Sequence, residues 1–324
     1  MSTHPSRRPA SNRSPRSLAA LPLPLPLPLP PEVHVSVPQP LRSALVIGDV
    51  HGCAHELKLL LDKFYFSRQP CSRPERVIFV GDLVNKGPDS CACVRIAREI
   101  DAWCVRGNHE EVSLIAALSD RANKESLQAS NEESQRSLPD KYGWTRGLSQ
   151  SDLDWLCDLP LSISFKVMGH AEQFMVVHAG LVPGVSLAEQ KLADLLRVRD
   201  VAQIHGSSES VQKQSPNWKA FETGGCNPRP WASVYSECAE PETPFILFGH
   251  DAKRGIQSYS HALGLDSGCV YGKQLSALAL PQGPRPYEIV SVSAARIYEK
   301  PKVSRNLEDV VQVLSDLLVS DEKV

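Results

Sequence analysis

Five apolar stretches in this 324-residue chain end in the same way, on a polar side chain with glycine beside it. They read Gly48-Asp49-Val50-His51-Gly52, Gly81-Asp82, Gly107-Asn108-His109-Glu110, Val177-His178-Ala179-Gly180 and Phe248-Gly249-His250-Asp251. Short apolar runs that stop at turn signals are buried strands. Glycine lets the backbone turn sharply and approach closely whatever the polar groups hold. Helical spacing follows the first two runs, at Leu57, Leu60, Leu61 and Phe64 and at Val94, Ile96, Ala97 and Ile100. Strand, polar turn and helix in repetition predict an α/β fold with its functional residues gathered at strand ends.

Taken singly, an Asp after a strand is usually a turn or cap residue, and a lone His is usually packing or surface. Five such ends in one chain do not fit that explanation together. Carboxylate, amide oxygen and imidazole suit borderline divalent metals without any thiolate. The candidate ligands are therefore Asp49, His51, Asp82, Asn108, His178 and His250, with His109 beside them.

The motifs GDVHG, GDLVNKGP, RGNHE, VHAG and FGHD resemble those of the calcineurin-like metallophosphoesterases, in the phosphoprotein phosphatase branch. The resemblance spans roughly residues 41–295. Residues 81–90, 147–160 and 262–278 are most similar to the ApaH and ApaH-like phosphatases. It implies a β-sandwich of two mixed sheets flanked by helices, in α-β-β-α layers. It also implies two divalent ions, drawn from Mn, Fe, Co, Zn or Mg with Mn favoured. Asp49, His51 and Asp82 would hold one ion, and Asp82, Asn108, His178 and His250 the other. Two ions about 3.5–4 Å apart clamp the attacking and leaving oxygens of an in-line displacement, so the expected reaction is direct attack by a metal-bridging hydroxide. His109 would be the general acid, and Lys86, Arg106 and Arg254 the phosphate-binding cations.

Two departures bear on the substrate. Asn85 replaces the Asp that protein phosphatases use to orient the catalytic His; an amide could accept the imidazole hydrogen bond, with Glu110 or Asp251 as alternative partners. Lys86 replaces the usual Arg and offers a point charge without a bidentate fork. Both favour phosphoanhydride substrates over phosphoproteins. The expected substrates are dinucleoside polyphosphates such as diadenosine tetraphosphate, or the triphosphate bridge of capped RNA. Endopolyphosphatase and protein Ser/Thr phosphatase are the alternative activities, and a non-enzymatic binding scaffold is the remaining reading. Lys213, Lys219, Arg229, Lys253, Arg254 and Lys273 could line a groove for a long substrate, and one of Trp218, Phe221, Trp231 and Tyr235 could stack on a base.

Outside the motifs, residues 1–40 are rich in Pro, Ser and Arg and alternate Leu with Pro from Leu21 to Pro31. Proline at every second position forbids helix and removes sheet donors, so this stretch is expected as a disordered tail. Its polyproline character makes it a candidate ligand for a protein partner. The catalytic domain is expected over 41–300, and Leu307, Val310, Val311, Leu314, Leu317 and Leu318 predict an amphipathic C-terminal helix over 301–324. Polar residues 120–141 read as a surface insertion or lid. No run of about 18 apolar residues occurs, so no membrane is expected. Nine scattered cysteines without CxxC spacing read as reduced packing thiols, Cys53, Cys104 and Cys269 included. A cytoplasmic location is expected, with the basic N-terminus leaving organelle import open. Net charge of −2 demands no particular partner and sets no oligomeric state.

Overall fold

The computed structural model describes residues 27, 29–66, 69, 73–130, 139–203, 218–222, 227–281, 283 and 287–301. The apolar runs of the sequence alternate between two environments, and this alternation builds the layers. In strand β2 (Ala44–Ile47), Ala44 and Val46 point one way while Leu45 and Ile47 point the other. Strand β3 (Arg76–Phe79) does the same, with Ile78 on the first side and Val77 and Phe79 on the second. Both strands are apolar on both faces, as strands covered on both sides must be.

One sheet has five strands. In spatial order these are β14 (Glu288–Ser293), β13 (Gln274–Leu280), β2, β3 and β4 (Trp103–Cys104). The β2–β3–β4 part is parallel, and β13 and β14 add antiparallel strands. The other sheet has six strands: β1 (His34–Ser36), β5 (Ser162–Lys166), β6 (Gln173–Val177), β10 (Phe245–Phe248), β12 (Ala262–Gly264) and β11 (Gln257–Ser258). It too is mixed.

Between the sheets lies a core of Val46, Ile78, Val80 and Leu278 from one side and Phe165, Phe174, Val176 and Leu247 from the other. Leu45, Ile47, Val77 and Phe79 pack outward against α1 (Ala54–Leu61), α2 (Ser90–Glu99), α3 (Asn108–Ser130) and α4 (Gln150–Cys157). Val177, Ile246 and Phe248 pack outward against α5 (Leu192–Arg197) and α6 (Trp231–Glu237). Helix, sheet, sheet, helix is the expected layering. A third, small antiparallel sheet of β8 (Trp218–Phe221), β7 (Asp200–Gln203) and β9 (Arg229–Pro230) joins the second helical layer.

Three expectations change. The ordered domain begins before residue 41, because His34–Ser36 pair in parallel with Ser162–Ser164 and the Val37 amide donates to the Ser164 carbonyl at 2.8 Å. Backbone donors of the non-proline residues 33–37 were free to join an open sheet edge, so the proline-driven tail stops short of them. The supposed insertion at 120–141 is helical up to Ser130 as a continuation of α3, since its Ala, Lys, Glu, Leu and Gln are good helix formers. The predicted helix at 55–66 ends its α-helical part at Leu61 and runs on as a π-helical turn, Asp62–Phe66. The expected tail up to residue 26 and the expected helix over 302–324 lie outside the described residues.

Ile78 is fully buried between the sheets, whereas Ile289 on the edge strand β14 is 40% exposed. Ile78→Ala is expected to lower unfolding free energy by about 2–5 kcal/mol, against roughly 0.5 kcal/mol or less for Ile289→Ala, as measured by urea denaturation.

Candidate active site

The five polar strand ends meet at one edge of the sandwich. Asp49–His51, Asp82 and Asn108–His109 follow β2, β3 and β4 of the five-stranded sheet, and His178 and His250 follow β6 and β10 of the six-stranded one. The site is therefore assembled across the gap between the sheets. Asp49, His51, Asp82, His178 and His250 are each less than a tenth exposed, while Asn108 and His109 are partly open.

Two of the imidazoles have fixed tautomers. The Nδ1–H of His178 donates to the Val80 carbonyl at 2.9 Å, and that of His51 to the Val84 carbonyl at 3.3 Å. Each ring then presents an Nε2 lone pair to the site. His178 Nε2 lies 2.9 Å from Asn108 Oδ1 and 3.4 Å from Asp82 Oδ1. His250 Nδ1 is also 2.9 Å from Asn108 Oδ1. His51 Nε2 lies 3.5 Å from Asp82 Oδ2. A lone pair aimed at an amide oxygen and a carboxylate is repulsive unless a cation stands among them. One cationic group is already drawn in: Lys86 Nζ donates to His51 Nε2 at 2.9 Å. The His and Asp donors could hold divalent metal, with the His51 and His178 rings oriented by backbone carbonyls as metal-binding histidines are.

Electrostatics point the same way. Burial raises the Asp49 carboxyl well above its usual range, with Asp266 and Asp82 adding repulsion. It raises Asp82 to about 6, Asp266 to about 6 and Glu110 to about 7. The same burial lowers His178 to about 4 and lowers His51 and His250 well below the usual imidazole range. Carboxylates poorly compensated in charge and neutral imidazoles are the state that a divalent cation stabilises.

The backbone here is strained. Seven non-glycine residues have positive φ among the described residues, and five belong to this site: His51, Asp82, Asn85, Lys86 and His250. Such conformations cost about 1–3 kcal/mol each and persist where the surroundings impose them. Much of the imposing is done by Glu110, whose carboxylate accepts the backbone N–H groups of Asp82, Val84 and Gly107 at 2.8, 3.2 and 2.8 Å. The His250 N–H reaches both Asp49 oxygens, at 3.2 and 3.0 Å. This approach needs Gly249, where a Cβ would lie 2.0 Å from Asp49 Oδ1.

His109 is held differently from the sequence-based expectation. The Lys86 N–H donates to Asn85 Oδ1 at 3.0 Å, which fixes the amide. Asn85 Nδ2 therefore faces His109 Nδ1, at 3.0 Å, and donates to it. Asn85 does not accept from the ring. The ring consequently carries its proton on Nε2. Burial, with the positive charges of Lys86 and Arg197 nearby, lowers His109 to about 2, so it is neutral. Glu110 is occupied with backbone amides, and Asp251 with Arg254 at 2.5 Å and Arg199 at 3.7 Å. Neither orients His109.

Of the expected phosphate-binding cations, only Lys86 sits among the candidate ligands. Arg106 is 1% exposed, and its guanidinium is spent on Glu111 at 3.2 Å and the Cys157 carbonyl. Arg254 is neutralised by Asp251 and Asp200. Two arginines that the sequence did not single out are closer to the chemistry. Arg199 donates to the His250 carbonyl at 3.0 Å, and the charges of Arg197 and Arg199 are both felt at Asp82. Arg197 ends α5 and Arg199 follows it by two residues, with no glycine beside them, and the helix is brought to the VHAG turn by the Ala179 N–H donating to the Leu195 carbonyl and by Leu195 and Leu196 packing with Val177 and Ala179. Asp266, also buried, accepts the Gly268 N–H at 3.1 Å.

Of the residues suggested for a basic groove, Arg229 pairs with Glu237, Lys273 donates to the Ala252 carbonyl, and Lys213 lies outside the described residues. Trp231 packs against Phe248 at 4.9 Å between ring centres, and the Tyr235 hydroxyl donates to the Pro244 carbonyl, so both serve the core.

A two-sheet sandwich with this donor set across its open edge defines a metal-dependent phosphoesterase, and comparison places it further. The profile of the calcineurin-like phosphoesterases matches residues 43–254. The chain belongs to that family. It is 27% identical over 302 residues to the symmetrical bis(5'-nucleosyl)-tetraphosphatase of Ralstonia nicotianae, covering 76% of this chain and 92% of that protein. It is 29% identical over 295 residues to the enzyme of the same name from Chromohalobacter salexigens, covering 78% and 100%. A solved structure described as "a putative diadenosine tetraphosphatase" superposes with a TM-score of 0.60 at 30% identity, covering 81% of this chain and 98% of that one. No helix among the described residues is long and apolar enough to cross a membrane.

Gly249→Ala is expected to displace Asp49 and cut activity about 100-fold, the scale of a 1 Å misplacement. Metal content after dialysis should fall while the far-ultraviolet circular dichroism stays unchanged.

Proposed function

We propose that this chain hydrolyses the phosphoanhydride bridge of dinucleoside polyphosphates, with bis(5'-nucleosyl) tetraphosphates as the leading substrates. The observation that carries the reading is the cluster of donors from both sheets around Asp82, with the Lys86 ammonium at its edge. Relatives matched over 92–100% of their length bear the tetraphosphatase name, which supports the substrate class. Protein phosphatase activity is not favoured, because the bidentate arginine and the orienting Asp of that group are replaced here by Lys86 and Asn85.

Asp49, His51 and Asp82 would hold one ion, and Asp82, Asn108, His178 and His250 the other. When bound, the pair supplies an activated water at neutral pH and neutralises charge on the phosphates. Manganese is our preferred occupant, since oxygen and imidazole donors without sulfur suit it. His109, neutral with its proton on Nε2, donates to the leaving phosphate oxygen. A diphosphate leaves readily as an anion, so a hydrogen bond from a neutral imidazole suffices, and no imidazolium is needed. Asn85 keeps that proton on the correct nitrogen. Lys86 and Arg197 attract the substrate's phosphates, Arg197 from the end of α5.

Equal phosphate equivalents of diadenosine tetraphosphate, capped RNA, long-chain polyphosphate and a phosphopeptide should be incubated with the Mn-loaded enzyme, with Asp82→Asn as blank. Release of ADP from diadenosine tetraphosphate, absent in the blank, is the expected result. Phosphate from the phosphopeptide alone would overturn the reading, and preference for capped RNA or polyphosphate would move it within the anhydrides.

Asn85→Leu is expected to lower kcat about 10²-fold, the lower range for a lost general acid, with KM little changed. Arg197→Ala should mainly raise KM. Steady-state kinetics separate the two.

A further inference from the structure

A second cluster of metal-ligating groups lies behind the catalytic one. Cys53, Cys269 and Glu56 each offer a ligand atom, and these atoms all lie within 4.8 Å of one another. All three residues are at most 1% exposed. The cluster is separate from the catalytic donors, which include no sulfur.

Glu56 is the anomalous member. Its Oε1 accepts the Ala295 N–H at 2.8 Å and the Tyr298 hydroxyl at 2.9 Å. Its Oε2 is buried without a hydrogen-bond partner. An unpaired carboxylate oxygen in the interior is costly, and buried charges normally pair or bind metal. The residues around it supply the ligands in sequence and in space: Cys53 opens α1, one turn before Glu56, and its Sγ lies within 4.8 Å of the Cys269 Sγ. Two sulfurs and a carboxylate on a rigid frame suit a thiophilic divalent ion.

We propose that Cys53, Cys269 and Glu56 form a separate site for a thiophilic divalent ion of the Zn(II) type. Binding releases the two thiol protons to solvent and leaves two thiolates and one carboxylate on the ion. The site has a structural consequence. Cys53 follows His51 by two residues and contacts its carbonyl through Sγ at 3.9 Å. Cys269 closes the turn in which Gly268 donates to Asp266. An ion here ties the His51 turn to the Asp266 turn from behind. The proposal does not depend on which phosphate substrate is cleaved.

The test is Co(II) titration of the reduced full chain, followed by thiolate-to-cobalt charge transfer in the near ultraviolet. Because the catalytic donors contain no sulfur, this band separates thiolate ligation from the catalytic site, and the substitutions assign it among the cysteines. It should appear in the native chain and in Cys238→Ser, which removes an exposed thiol elsewhere. It should be lost in Cys53→Ser and in Cys269→Ser. No band in the native chain, or a band that survives both substitutions, overturns the proposal. Should the serine variants fail to fold, X-ray absorption of zinc-loaded Cys238→Ser decides the matter. Sulfur scatterers at about 2.3 Å are expected, and nitrogen and oxygen scatterers alone would refute the site.

Discussion

Everything at the catalytic edge depends on one carboxylate that touches no candidate metal. Glu110 gathers the amides of Asp82, Val84 and Gly107, and so joins the turn after β3 to the turn after β4. Without it, three backbone donors would be buried and unpaired, at about 1–3 kcal/mol each. More to the point, Asp82 would lose the left-handed backbone that aims its two oxygens at His51 on one side and His178 on the other. A tie of this kind lets short loops hold a geometry that their intrinsic preferences oppose.

Much of this was legible in the sequence. The double-faced apolar character of Ala44–Ile47 and Phe245–Phe248 announced strands covered on both sides, and the glycine-flanked polar ends announced where chemistry would gather. A run of residues shows which groups stop at a strand end, because that is a local property. It does not show which way a side chain is consumed. Arg106, one residue before the third motif, looked equivalent to Lys86, yet its guanidinium turns inward to Glu111 and the Cys157 carbonyl. Arg197 and Arg199 went unnoticed for the converse reason. Their closeness to Asp82 comes from the docking of α5, a contact between distant segments.

Asn85 illustrates a finer limit. Residue type alone leaves an amide free to donate or accept. The choice is made by a neighbour, the Lys86 N–H, which takes the amide oxygen and leaves the nitrogen for His109. The protonation pattern of the ring thus follows from a backbone conformation at a residue with φ of 66°. Strands β11 and β12 are not legible for a similar reason: both are short, and their pairing is supplied from outside, β12 by β10 and the edge strand β11 by β12.

The division of ligands between two sheets has one further consequence. Asp49, Asp82 and Asn108 ride on one sheet, His178 and His250 on the other, and the gap is fixed by the apolar layer between them together with the His178–Val80 and His250–Asp49 hydrogen bonds. The thickness of that layer, set by residues such as Phe165, Phe174 and Leu247, therefore acts as the ruler for the distances between donors. Ion selectivity and bite on the phosphate chain become tunable from the interior, by side-chain volume at positions that never meet the substrate.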